Sequence, residues 1–501
     1  MTANPIKKTS PDYEVIIVGT GFGGMGAAIQ LRRLGIDSIL MIDREDDLGG
    51  TWHVNKYPGL AVDIASFTYS YSFEPNPNWT RLYARGPELK SYAAHVAEKY
   101  DLRRHMRFNS DVTNASFDES SNTWIVNLEN RAPIRARMLI LATGFLSQAH
   151  TPDIPGINDF RGKIIHTAQW DNDYDLDGKR AAVIGTGATA VQLIPQIAKQ
   201  LSQLDVYQRT AIWVTPKVDG NIPKGVRKLF AAVPLAQKAA RLVSSSILEV
   251  VMVAGVLYNK QLPALTSSME RICKSHMARA IKDPELREKL TPNYSFGCKR
   301  PTFSNNYYPT FTRKNVGLIS DGIDRIEADA IVDNNGVRRE IDTLILATGF
   351  DLWEKNFPAI RITGRKGIDL GKLWRNERFK SYQGISIPGF PNLFSLPSPY
   401  AYNGLSYFST IEGQMKHMAR CITAMRERQA TTFEAKEIAM EKFVEKMKAR
   451  VDDSVFKQGF CATSHSYYFN QHGEATLLRP TSTISGLWAQ DHFPISDYTF
   501  R

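Results

Sequence analysis

Two glycine-rich loops carry the first chemistry that can be read from the chain. YEVIIVGTGFGGMGAAIQLRRLG opens with an apolar run at residues 15–18, turns through Gly19, Gly21 and Gly24, and continues as a helical pattern. Gly19 permits the tight turn, Gly21 lets backbone approach a pyrophosphate, and Gly24 allows close helix packing, which puts phosphates at the helix N-terminus. KRAAVIGTGATAVQLIPQIA repeats the arrangement with Gly185, Thr186, Gly187 and, in the permitted third position, Ala190. One such loop alone is weak evidence of a nucleotide site. Here each is followed by a second strand-like run, SILMID and LDVYQRT.

The ends of those second strands differ. Asp43 stands 24 positions after Gly19, and Arg209 stands 24 positions after Gly185. An acid at this address accepts hydrogen bonds from ribose hydroxyls, whereas an arginine suits a 2′-phosphate. The first module is therefore expected to hold the ADP half of FAD, and the second NADPH.

The elements that must position these loops follow from a second echo. RARMLILATGF, with Ala142, Thr143 and Gly144, precedes the second loop, and EIDTLILATGF comes near residue 350. Each reads as a buried strand ending in a small-residue turn beside a dinucleotide. The fold class expected is α/β, with two Rossmann-like dinucleotide-binding domains and a helical insertion. The FAD domain is split into residues 1–150 and 341–501, the NADPH domain spans 151–340, and the insertion covers about 224–290.

The totals agree. A chain of 501 residues predicts two or more domains, and 43% hydrophobic with 23% charged residues is a soluble globular composition. The net charge of +11 is spread along the chain, which argues against a nucleic-acid partner. Cys273, Cys298, Cys421 and Cys461 form no CxxC or zinc-like spacing and read as reduced thiols of a cytoplasmic protein. No metal site is expected, since Cys461, His465 and His472 fit no standard ligand set. MTANPIKKTSPDYEVIIVG shows no secretory signal before the first strand.

FRGKIIHTAQWD, residues 160–171, joins the two loop modules and matches F-x-G-x-x-x-H-T-x-x-W followed by Pro or Asp at every defined position. With GGTWHVNKYPGLAVD (49–63), LATGFLSQAHTPDIPG (141–156), FGCKRPTFSNNYYPTFTRKNV (296–316) and DTLILATGFD (342–351), it makes the chain resemble the Baeyer–Villiger monooxygenases from about residue 13 to about residue 415.

That resemblance implies an NADPH- and O2-dependent flavoenzyme that inserts one oxygen atom into a ketone, giving an ester or lactone, with the activated oxygen on the flavin attacking the carbonyl as a nucleophile. Arg300 takes the position of the family's catalytic arginine; a guanidinium stabilises an anion without giving up its proton. Asp63, closing the YPG-x3-D motif, corresponds to the acid paired with it. Lys299 matches a position that contacts the 2′-phosphate, beside Arg209 and Thr210. Gly50, Thr51, Trp52 and Tyr69 belong around the flavin, and Gln192 joins the cofactor-binding set. His166 and Thr167 are assigned to domain orientation and NADPH handling rather than to proton transfer. Out of context, a Lys-Arg pair reads as solvated surface, a loop carboxylate as a turn residue and a lone histidine as structural.

Departures from the family lie at about 221–290 and after residue 415, where Tyr467 stands in place of a frequent tryptophan. The apolar run at 242–257 is 16 residues long and holds Glu249, short of the roughly 20 needed to span a bilayer. The insertion is expected to be a helical cap on the NADPH domain. A second reading is a peripheral membrane contact, with Val250 and Val253 on the contacting face. Three alternatives remain open at this level: a flavin-dependent S- or N-oxygenase, a disulfide reductase (disfavoured because no redox CxxC follows the first loop) and a non-catalytic dinucleotide-binding regulator.

Overall fold

The computed structural model describes residues 10–501; most of the segment in which no secretory signal was expected, residues 1–9, lies outside them. Tyr13–Val18 forms the middle of an eight-stranded sheet, parallel to Ile39–Ile42 on one side and to Ile134–Leu141 on the other. Val15, Ile16 and Ile17 are completely buried, as expected for a strand covered on both faces. Val112–Asp118 and Thr123–Leu128 extend the sheet as an antiparallel meander. Two later strands return to it: Arg361–Thr363 pairs with Val112–Asp118, and Leu393–Ser395 with Ile134–Leu141. The long helix Tyr407–Glu427 then packs on the first-loop helix Phe22–Arg33, where a side chain at Gly26 would collide with Ile411.

The second sheet is wholly parallel, in the order Val316–Ile319, Gln203–Tyr207, Arg180–Ile184, Thr343–Leu346, Lys163–His166. This corrects the boundary placed at residue 340. Thr343–Leu346, the strand of the second ATG echo, lies inside the second sheet: its backbone pairs with Arg180–Ile184 on one side and Lys163–His166 on the other, and Leu344, Ile345 and Leu346 are buried on its faces. The chain returns to the first sheet only after it.

The insertion also departs from a simple cap. Pro263–Ala280 and Pro284–Leu290 contribute Met277 and Leu290 to the core of the second sheet. The helical stretch Pro234–Leu257 instead leans on the first domain: Arg241 donates to the carbonyls of Phe67 (3.1 Å) and Ser70 (2.9 Å), and Gln237 donates to Asn76. Its last turns, with Val253, Val256 and Leu257, enter the core cluster that holds Phe296 and Cys298.

Cysteine pairing is a second correction. Cys298 and Cys461 form a disulfide across 163 positions, leaving Cys273 and Cys421 as buried free thiols. Sequence spacing hid this pair because the fold, not the local chain, brings the two Cα atoms to 5.2 Å.

Candidate active site

The two glycine loops form matching cradles. Gly19 and Gly185 adopt φ of +111° and +109°, and a side chain at either would strike the carbonyl of the opposing ATG turn, Ala142 in one case and Ala347 in the other. At Gly24 a side chain would overlap the Gly19 carbonyl oxygen, so the helix can start this close to the strand only with glycine there. Gly187 is different: a side chain there meets nothing within 4 Å and points into open space at the start of helix Ala188–Ile197. Ala190 behind it is completely buried.

Asp43 ends its strand with Oδ2 accepting from the amide and hydroxyl of Thr20, both at 2.7 Å, which sets the carboxylate against the first loop. Gly50 lies against Gly21 and opens the short helix Thr51–Val54. Trp52 Nε1 donates to the Tyr69 hydroxyl at 3.1 Å, with the rings edge-to-face. Burial pushes the Tyr69 phenol up, so it stays neutral.

The second cradle gathers positive charge. Burial and the neighbouring Arg209 charge bring the Lys299 ammonium down to about 8. Burial, Arg209 and Lys299 also lower His465. Neither Arg209 nor Lys299 makes an ion pair among the described residues. Thr186 donates to the Thr210 carbonyl at 2.8 Å, tying the loop to the turn that carries Arg209. Cations held together without a carboxylate fit a phosphate-bearing ligand.

Between the cradles lies a two-pronged ion pair. Arg300 Nε donates to Asp63 Oδ2 at 2.7 Å and its NH2 to Oδ1 at 3.0 Å, while NH1 donates to the Tyr402 hydroxyl at 3.2 Å. Burial alone would raise the Asp63 carboxyl, but the guanidinium outweighs it and holds the group below the ordinary carboxylate range. Burial likewise opposes the Arg300 charge; Asp63 reverses that and lifts the guanidinium well above its usual value. Phe145 packs 6.0 Å from Tyr402, and Tyr467 and Tyr468, both under the influence of the Arg300 charge, close the other side.

Gln192, on the helix that follows the second loop, bridges to the first module. Its amide bonds the segment that delivers Asp63: it accepts from Tyr57 (3.0 Å) and the Ala61 amide (3.3 Å), and donates to the Ala61 carbonyl (2.9 Å). It ties the two modules together, and its Nε2 keeps one further N–H beyond these three bonds. His166 accepts from the Ala168 amide through Nδ1 at 3.1 Å, reaches Thr348 at 3.5 Å through Nε2, and is held neutral by burial. It therefore joins the linker to the second ATG turn. Thr167 is buried beside it, Phe160 fills the core under the second sheet, and a side chain at Gly162 would strike Asp342 and Phe160.

The arrangement has close counterparts. A family model described as pyridine nucleotide-disulphide oxidoreductase matches residues 16–233. A Baeyer–Villiger monooxygenase of Pseudomonas aeruginosa is 39% identical over 92% of this chain and 86% of its own length. The chain belongs to the Baeyer–Villiger monooxygenases. Two solved structures superpose on nearly the whole monooxygenase. An oxidised steroid monooxygenase bound to NADP has a TM-score of 0.86 and 29% identity, covering 98% of this chain and 99% of that one. OTEMO in complex with FAD and NADP has a TM-score of 0.85 and 26% identity, covering 98% and 100%. Two dinucleotide domains, which the loops and charge swap had implied, and flavin monooxygenase activity, which the resemblance had implied, are therefore properties of this enzyme.

Tyr402 and Lys217 were not singled out from the sequence, and His465 was weighed there only as a metal ligand. Tyr402 sits in PSPYAYNG, a stretch with no motif. Lys217, 3.7 Å from Asp219, adds positive charge near Asp63. No sequence signal marks either one, because only the docking of separate modules brings them to the site.

Proposed function

We propose that this monooxygenase inserts one oxygen atom of O2 beside the carbonyl of a ketone, giving an ester or lactone, while NADPH is oxidised and the second oxygen atom leaves as water. FAD, held by the Gly19–Gly24 cradle, Asp43, the Gly50–Trp52 turn, Tyr69 and the 142–144 turn, supplies the electron transfer and the oxygen activation. NADPH falls to the Gly185–Ala190 cradle, with Arg209, Thr210 and Lys299 on its 2′-phosphate. Residues 1–150 and those beyond about 350 form the FAD part in this reading, and a cytoplasmic location is part of it.

What supports the reading is the Arg300–Asp63 pair at the meeting point of both cradles. Arg300 keeps its proton at any pH the enzyme meets, so it can face a developing negative charge without quenching it. Asp63 holds the Nε–NH2 edge of the guanidinium and fixes its plane, and Tyr402 holds the third nitrogen. The tyrosines at 402, 467 and 468 exclude water, which strengthens every charge interaction within the site.

A panel of linear, cyclic and aromatic ketones, followed by NADPH consumption and product mass, tests this. Arg300→Ala should still oxidise NADPH but form no ester. Full ester formation by that variant would overturn the assignment.

A further inference from the structure

The helical stretch Pro234–Leu257 is amphipathic the wrong way round for a soluble protein. Its inward face is polar: Gln237 and Arg241 bond backbone carbonyls of the first domain, Ser244 meets the Thr68 hydroxyl at 2.7 Å, and Glu249 accepts from the Thr483 amide at 2.8 Å. Its outward face is aliphatic. Leu235, Leu242, Val243, Ile247 and Val250 recur at helical spacing, each between 52% and 73% exposed. By length and composition the helix could cross a membrane, with a mean hydropathy of 1.8 over its most apolar window. Its polar contacts seat it lengthwise on the domain instead. Val253, expected on the outward face, is 1% exposed and belongs to the core.

The flank of this stripe selects its partner. Residues 221–248 contain no Asp or Glu, and Lys224, Lys228 and Lys238 are exposed there. The helix Thr483–His492, which starts at Glu249, presents Trp488 at 62% exposure, a residue type favoured where apolar and aqueous phases meet. We propose that this face docks the enzyme flat on an anionic lipid bilayer, with the aliphatic stripe in the acyl boundary and the lysines over the headgroups. A second copy of the chain would place these uncompensated lysines against one another, so charge favours the lipid.

The test uses the FAD-loaded enzyme and unilamellar vesicles, either phosphatidylcholine alone or phosphatidylcholine with phosphatidylglycerol. Wild type should sediment with the anionic vesicles and be released by salt. The Leu242→Glu, Ile247→Glu variant and the Lys224→Ser, Lys228→Ser, Lys238→Ser variant should each partition at least about tenfold less, with the flavin spectrum and NADPH oxidation in solution unchanged. Leu242→Trp should shift its fluorescence to the blue on adding anionic vesicles. No sedimentation of wild type, equal sedimentation of the glutamate variant, or an unshifted Leu242→Trp spectrum would each overturn the proposal. So would a wild-type dimer that the glutamate variant dissolves without any vesicle binding by either.

Discussion

Arg300 and Asp63 lie 237 positions apart yet share two parallel hydrogen bonds of 2.7 and 3.0 Å. Asp63 is delivered by the segment that Gln192 clamps, and Arg300 by the loop that the Cys298–Cys461 disulfide holds. The pair thus forms only when the two modules are docked, and it reports their registry as well as positioning a charge.

Asp63→Asn keeps the shape but leaves one acceptor where the guanidinium offers two donors. Breaking one side of a largely desolvated charge pair costs several kcal/mol when burial is complete, and less here because both side chains keep some solvent contact. Ester formation should fall about 10- to 100-fold, while NADPH still reduces the flavin. Equal losses in both half-reactions, separated by stopped-flow absorbance, would show that Asp63 acts only on the fold. The depressed carboxyl also fixes a pH sign. Its contribution is complete above the ordinary carboxylate value and is lost only as pH falls through the lower folded value. Wild-type activity lost above roughly pH 4 must therefore belong to another group.

Lys299 titrates from about 8 in the free enzyme, and a bound 2′-phosphate favours its charged form. NADPH affinity should be flat below pH 8 and weaken as pH rises beyond it, because binding must then take up a proton. Isothermal titration from pH 6.5 to 9.5 measures this. Lys299→Met should flatten the profile and reduce the preference for NADPH over NADH about 10-fold or more. An unchanged profile in the variant would remove Lys299 from the phosphate site.

What could be read from the chain divides along a physical line. The cradles were legible because a turn at φ near +110° and close backbone approach demand glycine at fixed spacing, and Asp43 and Arg209 stand at a fixed distance from those turns. The Arg300–Asp63 pair was legible only through resemblance, since no local pattern links residues so far apart. The bridge that Gln192 makes to the Tyr57–Ala61 segment was not legible, because only the packed structure brings those residues, more than 130 positions apart, together. The Cys298–Cys461 bond and the direction of the insertion helix depend on tertiary approach. An apolar stripe at helical spacing looks the same in sequence whether it turns inward or outward.

The disulfide closes a loop of 163 positions and should stabilise the fold by about 2–5 kcal/mol. It also joins the Arg300 loop to the segment bearing Tyr467 and Tyr468. Reduction with dithiothreitol, or Cys298→Ser with Cys461→Ser, should lower Tm and divert NADPH oxidation from ester to hydrogen peroxide. Thermal unfolding and peroxide assays, each paired with a thiol count, check this. An unchanged Tm once two further thiols are exposed would mean that the bond constrains nothing.

Glycine substitutions separate packing from ligand contact within one motif. Gly24→Ala drives a methyl group into the Gly19 carbonyl, so the strand and helix must part, at a cost of about 1–3 kcal/mol without any ligand. Gly187→Ala meets nothing within 4 Å, and as a helix N-cap change should cost about 1 kcal/mol or less. Its methyl group nevertheless stands where backbone must approach a pyrophosphate. Gly187→Ala should therefore melt close to wild type alone but lose most of the rise in Tm that NADPH gives, whereas Gly24→Ala should melt early with or without NADPH. A Gly187→Ala enzyme with the full NADPH-dependent rise would show that the open space at the second loop is not where the dinucleotide lies.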